Sequence, residues 1–176
     1  MRILGVDPGS RVTGWGVIEA QGSRMRHVAS GTICASGDEP LAQRLNRIAV
    51  GLDEVVGFHK PVEAAVEAVF HARNSKSALT LGHARGAILV TLARHGLDPA
   101  DYAPTQVKLS LVGRGRADKD QVQSMVRLLL QLDCELKLDE SDALALALCH
   151  AQTQATPTAR RLRDLQRQHD AQGRAE

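Results

Sequence analysis

Aromatic side chains are nearly absent. The 176 residues hold two phenylalanines, one tyrosine and one tryptophan, so any core must be built from Leu, Val, Ile and Ala. Cysteine is also scarce. Cys34, Cys134 and Cys149 lie far apart and are odd in number. They have neither zinc-ligand spacing nor the pairing of a disulfide framework, and read as small buried hydrophobes of a reducing compartment. No apolar run is long enough to cross a bilayer and no signal-peptide pattern is present, so a cytoplasmic protein without a membrane partner is expected. Neither sign of charge dominates. A net charge of +2 and a pI near 8.6 allow a nucleic-acid partner only through a local basic patch.

What is present suits one α/β domain. A hydrophobic fraction of 43% in 176 residues is enough for a sizeable core. Ile3, Leu4 and Val6 read as a short buried strand that runs into Asp7, and Pro8-Gly9 forces a turn. A second strand over 13–18 completes a hairpin, and a third follows over 24–33. Asp38-Glu39-Pro40 reads as the cap and first turn of a helix whose apolar face is Leu41, Leu45, Ile48 and Leu52, stopped by Lys60-Pro61. A strand over 62–69 carries Glu67. Because it is reached through a helix, it should run parallel to its neighbour.

A long helix over 76–95 ends at Gly96. Gly82 and Gly86 lie one turn apart inside it, each costing about 1 kcal/mol against Ala. That suggests the close approach of another backbone, either the protein's own sheet or a second subunit. A short edge strand near 101–103 and a helix from Pro104 to Leu111 come next. The loop 113–117 contains Arg114 and Arg116. Asp118 with Gln121 forms a capping box, and Val122, Met125, Val126 and Leu129 follow as an apolar face. The last helix, over 139–149, is so apolar that it must be buried. From about 156 the pattern fades into a polar, Arg- and Gln-rich tail.

Four acids carry the chemical interest. Asp7 and Glu67 end buried strands that would be parallel, where open α/β sheets place ligands. An acid there is costly unless it is met by a cation or hydrogen bonds, although Asp7 could serve only the turn at Pro8-Gly9. Asp139 and Asp142 share one face of a helix's first turn, where the dipole favours acids in any case. Together, three or four carboxylates could not all stay ionised without a cation. Their hard oxygens suit Mg²⁺ rather than a soft metal. Two such ions about 3.5–4 Å apart would activate water and stabilise a leaving phosphodiester oxygen.

The segments around Asp7 (Gly-Val-Asp-Pro-Gly-Ser-Arg-Val-Thr-Gly), Glu67 (Val-Glu-Ala-Val-Phe), 74–86, Lys108 (Gln-Val-Lys), Lys119 (Lys-Asp-Gln-Val-Gln) and 139–145 (Asp-Glu-Ser-Asp-Ala-Leu-Ala) resemble the RuvC family. These are endodeoxyribonucleases that resolve four-way (Holliday, or crossover) DNA junctions. The match spans roughly 1–150. It implies an α/β, ribonuclease-H-like nuclease domain over 1–155, with three antiparallel strands and then two parallel ones in a five-stranded mixed sheet flanked by helices. The tail 156–176 lies outside the family pattern. The resemblance implies Asp7, Glu67, Asp139 and Asp142 as catalytic, metal-binding acids. Two Mg²⁺ per site are implied, with Mn²⁺ as the alternative cation. It also implies a homodimer that nicks symmetric strands at T-containing sequences, in recombination and repair, with a branch-migration helicase as partner. The basic run at 113–116 departs from the family's loop and bears on sequence preference.

DNA contacts follow from the same resemblance. Phe70 would stack on a junction base, worth about 1–3 kcal/mol, where the bland reading is a core residue; Phe58 is read as core. Arg73, Asn74 and Lys76 follow Phe70 and could hold phosphates, and Arg114 and Arg116 belong to the basic loop. Lys108 and Lys119 match family basic positions, although a cation in a first helical turn opposes the dipole.

Three other readings stay open. Asp7-Pro8-Gly9 with the Thr13–Gly16 run also looks like the first phosphate loop of sugar-kinase and actin-like ATPases, which need a second lobe and a second Gly-rich loop. A junction-binding module without catalysis would not need the acids, since carboxylates facing phosphates weaken binding unless metals intervene. A related ribonuclease-H-like nuclease could act on a different substrate.

Overall fold

The computed structural model describes residues 1–68 and 75–155. Among the described residues five strands and five helices follow in the order β1 (Arg2–Asp7), β2 (Val12–Gln21), β3 (Arg24–Cys34), α1 (Leu41–His59), β4 (Glu63–Glu67), α2 (Ser75–Arg94), β5 (Ala100–Tyr102), α3 (Pro104–Val112), α4 (Lys119–Leu130) and α5 (Leu138–Gln154). The strands form one sheet in the order β3-β2-β1-β4-β5. β1, β2 and β3 are antiparallel, and β4 and β5 join β1 in parallel. This is the mixed order that the family resemblance implied.

Strand periodicity sorts the core into two faces. Leu4 and Val6 of β1, Val17 of β2, and Ala64 and Val66 of β4 pack under α1 and α2, against Ile48, Leu52, Ile88 and Leu92. Ile3, Ile18 and Ala65 point the other way, into a core shared with α3, α4 and α5. Asp7 has the parity of Ile3, and Glu67 that of Ala65. Both acids are therefore directed to the α5 side.

α5 is buried from Ser141 to Ala151 except at Asp142, as its continuous apolar run requires. It is held between the sheet and α3 and α4. Full burial of Leu144 and Leu148 stabilises by about 1.5–3 kcal/mol each. Its approach to the sheet depends on a floor of glycines. A Cβ on Gly5 would overlap the Ala143 carbonyl, one on Gly14 the Asp139 carbonyl, and one on Gly16 the Leu144 side chain. Strand pairing brings Gly5 opposite Gly16 and Asp7 opposite Gly14. The helix end that carries Asp139 thus rests beside the end of β1.

Several sequence expectations are corrected. Asp38 does not cap α1. The helix starts at Leu41, with Pro40 at the N-cap and no side chain capping it. Asp38 lies too far upstream to reach the first free N–H groups, and Glu39 pairs with Arg47 instead. Phe58 is 80% exposed rather than core. The buried positions of α1 are Ile48, Leu52 and Val56, and two residues beyond Val56 the helix has turned by about 200°. Cys34 and Cys134 are exposed, and Cys149 is buried. Cys34 ends an outer strand, where burial is incomplete. Gly82 and Gly86 do not pack on the protein's own sheet, because among the described residues a Cβ on either meets nothing within 4 Å. α2 buries Ala84, Ile88, Thr91 and Leu92 instead. The capping box at Asp118 is present, with Gln121 N–H donating to Asp118 Oδ1 at 2.8 Å. Among the described residues no helix is long and apolar enough to cross a membrane.

Candidate active site

β1 and β4 are parallel neighbours in the register Val6 to Val66, so Asp7 and Glu67 end their strands side by side on one face. α5 adds Asp142 from above. The three acids line a cavity of about 260 Å³ together with Lys108 of α3 and Lys119 of α4. Pro104, Val107, Val122, Ala145 and Leu146 form its apolar wall. Lys119 Nζ lies 3.6 Å from Asp142 Oδ2. The cation at the start of α4, unfavourable to that helix, thus has a partner across the cavity. Asp139 does not line the cavity but is close enough for its charge to act on Asp7.

The electrostatics are those of carboxylates crowded together. Burial pushes the Asp7 carboxyl up to about 9, helped by a hydrogen bond with Glu67 and by the charges of Glu67, Asp142 and Asp139. Burial also raises Asp142, while Lys119 and Lys108 draw it down. A divalent cation would relieve this crowding. Among the described residues, no three acid, imidazole or thiol side chains are gathered closely enough to hold a metal ion unaided. Mg²⁺ takes few protein carboxylates and completes its shell with water and substrate phosphate oxygens. The donor set, all oxygen with two lysines beside it, fits such an ion.

The structure therefore brings together five of the expected site residues, Asp7, Glu67, Asp142, Lys108 and Lys119, with Asp139 at their edge. Lys76, in the first turn of α2, and Arg114 and Arg116, in the loop before α4, are exposed and outside this cavity. Phe70, Arg73 and Asn74 lie outside the described residues, as does the tail 156–176. The glycine floor was not anticipated, although Gly5, Gly14 and Gly16 share a strand face that alternation makes visible.

A doubly covered mixed sheet with acids at the ends of its two central parallel strands defines a ribonuclease-H-like hydrolase. Comparison narrows this class. Residues 3–150 match the family model described as crossover junction endodeoxyribonuclease RuvC. The chain is 53% identical over 153 residues to the crossover junction endodeoxyribonuclease RuvC of Bordetella avium, covering 87% of this chain and 84% of that protein. It superposes on Thermus thermophilus RuvC, solved in complex with a Holliday junction substrate, with a TM-score of 0.84 and 36% identity, covering 88% of this chain and 95% of that one. The yeast mitochondrial Holliday junction resolvase Ydc2 shares the fold, with a TM-score of 0.61 at 12% identity over 93% of this chain and 83% of that one. The chain belongs to the RuvC family, and it is a nuclease.

Proposed function

We propose that this protein resolves four-way DNA junctions as a homodimer, by hydrolysis that depends on two Mg²⁺ per site. The observation that carries this reading is the convergence of Asp7, Glu67 and Asp142 with Lys108 and Lys119 in one cavity. The junction bound by the Thermus thermophilus relative supports the choice of substrate.

Asp7, Glu67, Asp139 and Asp142 hold the cations through carboxylate oxygens. Bound there, Mg²⁺ would lower the pKa of a water and neutralise charge on the phosphate. Lys108 and Lys119 grip the scissile phosphate from the α3 and α4 side and offset its charge. The water oxygen bonds to phosphorus as the P–O ester bond breaks, and the apolar wall of Val107, Val122 and Leu146 limits bulk water at the reacting face. Phe70 stacks on a base at the junction centre, and Arg73, Asn74, Lys76, Arg114 and Arg116 hold flanking phosphates. Gly82 and Gly86 lie in the subunit contact. The cellular role is recombination and repair in the cytoplasm, beside a branch-migration helicase.

The test compares a four-way junction, a plain duplex and an RNA–DNA hybrid under Mg²⁺. Paired, symmetric nicks in the junction alone are expected. Equal cutting of the hybrid would assign a different substrate, and junction binding without nicking would assign a binding module.

A further inference from the structure

Arg85 differs from the basic residues assigned to DNA. It lies on α2 next to Gly86, yet its guanidinium turns inward, with 21% side-chain exposure. Nε donates to the Glu67 backbone carbonyl at 3.3 Å. Nη2 donates to Asp101 Oδ1 at 2.5 Å. One planar fork thus spans the end of β4 and the neighbouring strand β5, where Val66 pairs with Asp101 and Glu67 with Tyr102.

The need for such a brace follows from the sheet. β5 is three residues long and forms the outer edge, so β4 has little ladder on that side. Glu67 is the last residue of β4; the peptide after it is held at its N–H, where Ala68 donates to the Tyr102 carbonyl at 2.9 Å, and its carbonyl is held by Arg85. The Asp101 carboxylate is half exposed, and an ion pair of that kind contributes little to stability. The consequence of the arrangement is therefore local. With the Ala68 N–H bonded to Tyr102, the guanidinium secures the second side of the peptide plane from which the Glu67 carboxylate is aimed into the cavity.

We propose that Arg85 is a positioning residue for Glu67, setting the direction of that carboxylate toward the cation it binds. This rests on the reading of Glu67 as a metal-holding acid. Outer groups that orient a ligand typically change metal affinity or activity by about 10–100-fold when lost. Lysine keeps the charge but not the fork, and does not hold the carbonyl and Asp101 at one fixed angle.

The experiment uses the full chain with Arg85→Lys and Arg85→Gln, and measures four quantities. These are melting temperature, junction affinity in Ca²⁺, Mn²⁺ affinity by calorimetry without DNA, and single-turnover nicking across a Mg²⁺ titration. For Arg85→Lys the expectation is unchanged junction affinity and a melting temperature close to that of the parent. Its Mn²⁺ Kd and half-saturating Mg²⁺ should both rise about tenfold, with the rate recovered at high Mg²⁺. Should Arg85→Gln fail to fold, Arg85→Lys decides alone. Metal affinities equal to the parent's, or a rate loss that extra Mg²⁺ does not recover, overturn the proposal. A parent protein that binds Mn²⁺ but nicks no junction sinks the function proposed above and leaves the Mn²⁺ comparison to judge Arg85. A parent that binds no Mn²⁺ and nicks no junction at any Mg²⁺ concentration overturns both, and one that binds no Mn²⁺ without DNA but nicks leaves the half-saturating Mg²⁺ to judge Arg85.

Discussion

Burial and the charges of Glu67, Asp142 and Asp139 hold the Asp7 carboxyl at about 9, against an ordinary value near 4. The folded protein therefore keeps a proton that the unfolded chain releases. A raised folded pKa contributes stability that is complete below about pH 4 and is lost as pH climbs toward 9. In EDTA the melting temperature should fall across that window. Asp7→Asn, which cannot ionise, should flatten the fall and melt above the parent at pH 8; parallel curves for the two proteins would show that the fall has another origin than the Asp7 carboxyl. The same substitution should abolish nicking while gel-shift affinity for a junction stays close to the parent's, because Lys108 and Lys119 remain. Glu67→Gln, Asp139→Asn and Asp142→Asn should behave alike, and full Mg²⁺ turnover by any of them removes that residue from the set. Asp7 and Glu67 were legible in the sequence because an acid closing a buried apolar strand is conspicuous. Asp139 and Asp142 were less so, since helices commonly begin with acids. Arg85 lies within the 74–86 segment, but its contacts were not legible there, for one of its partners is a main-chain carbonyl 18 positions away.

α5 is held at both ends by different means, and the two ends predict different phenotypes. At the site end its backbone lies on Gly5, Gly14 and Gly16. Gly14→Ala places a methyl against the Asp139 carbonyl, and main chain yields less readily than a side chain. Overpacking of this kind costs about 1–3 kcal/mol. Because the displaced turn carries Asp139 and Asp142, nicking should drop far more than junction binding. At the other end His150 Nε2 lies 2.9 Å from Glu63 Oε2, and Nδ1 lies 2.9 Å from the Tyr102 hydroxyl. His150 is almost fully buried. His150→Ala should cost about 1–3 kcal/mol by leaving buried polar groups without this partner. Chemical denaturation would show that loss, while the nicking rate below the melting range stays near the parent's. Equal rate losses in the two variants would mean that the glycine floor has no special tie to the acids. α1 and α4 were legible from periodicity because each has one buried face; β1 and β4, buried on both faces, were legible as short apolar runs, and the apolar run 143–149 announced the burial of α5. The cap of α1 was not. Asp38 carries the right chemistry at the wrong distance, and only the backbone at Pro40 settles where the helix begins.

The described residues form one such cavity, whereas the proposed resolution of a junction takes two cuts, so the proposed homodimer would present two cavities at once. On that proposal α2 offers the surface for the contact. Leu79 and Val90 are exposed, Gly82 and Gly86 have nothing within 4 Å of a built Cβ, and helical spacing brings these positions to one face away from Ala84 and Ile88. Two glycines inside a helix cost about 1 kcal/mol each against Ala. Among the described residues nothing offsets that cost, whereas a partner helix approaching closely over the glycines would. Replacing Gly82 and Gly86 together with Leu separates assembly from folding. In an isolated chain both leucines enter open space and improve helix propensity, so circular dichroism should show a variant that melts cooperatively with the parent's helix content. In the dimer the same side chains block the approach, so light scattering should report a monomer. That monomer should bind junctions weakly, and its nicks should appear one at a time rather than in symmetric pairs. A variant that remains dimeric with paired nicking would place the subunit contact on another face of the molecule.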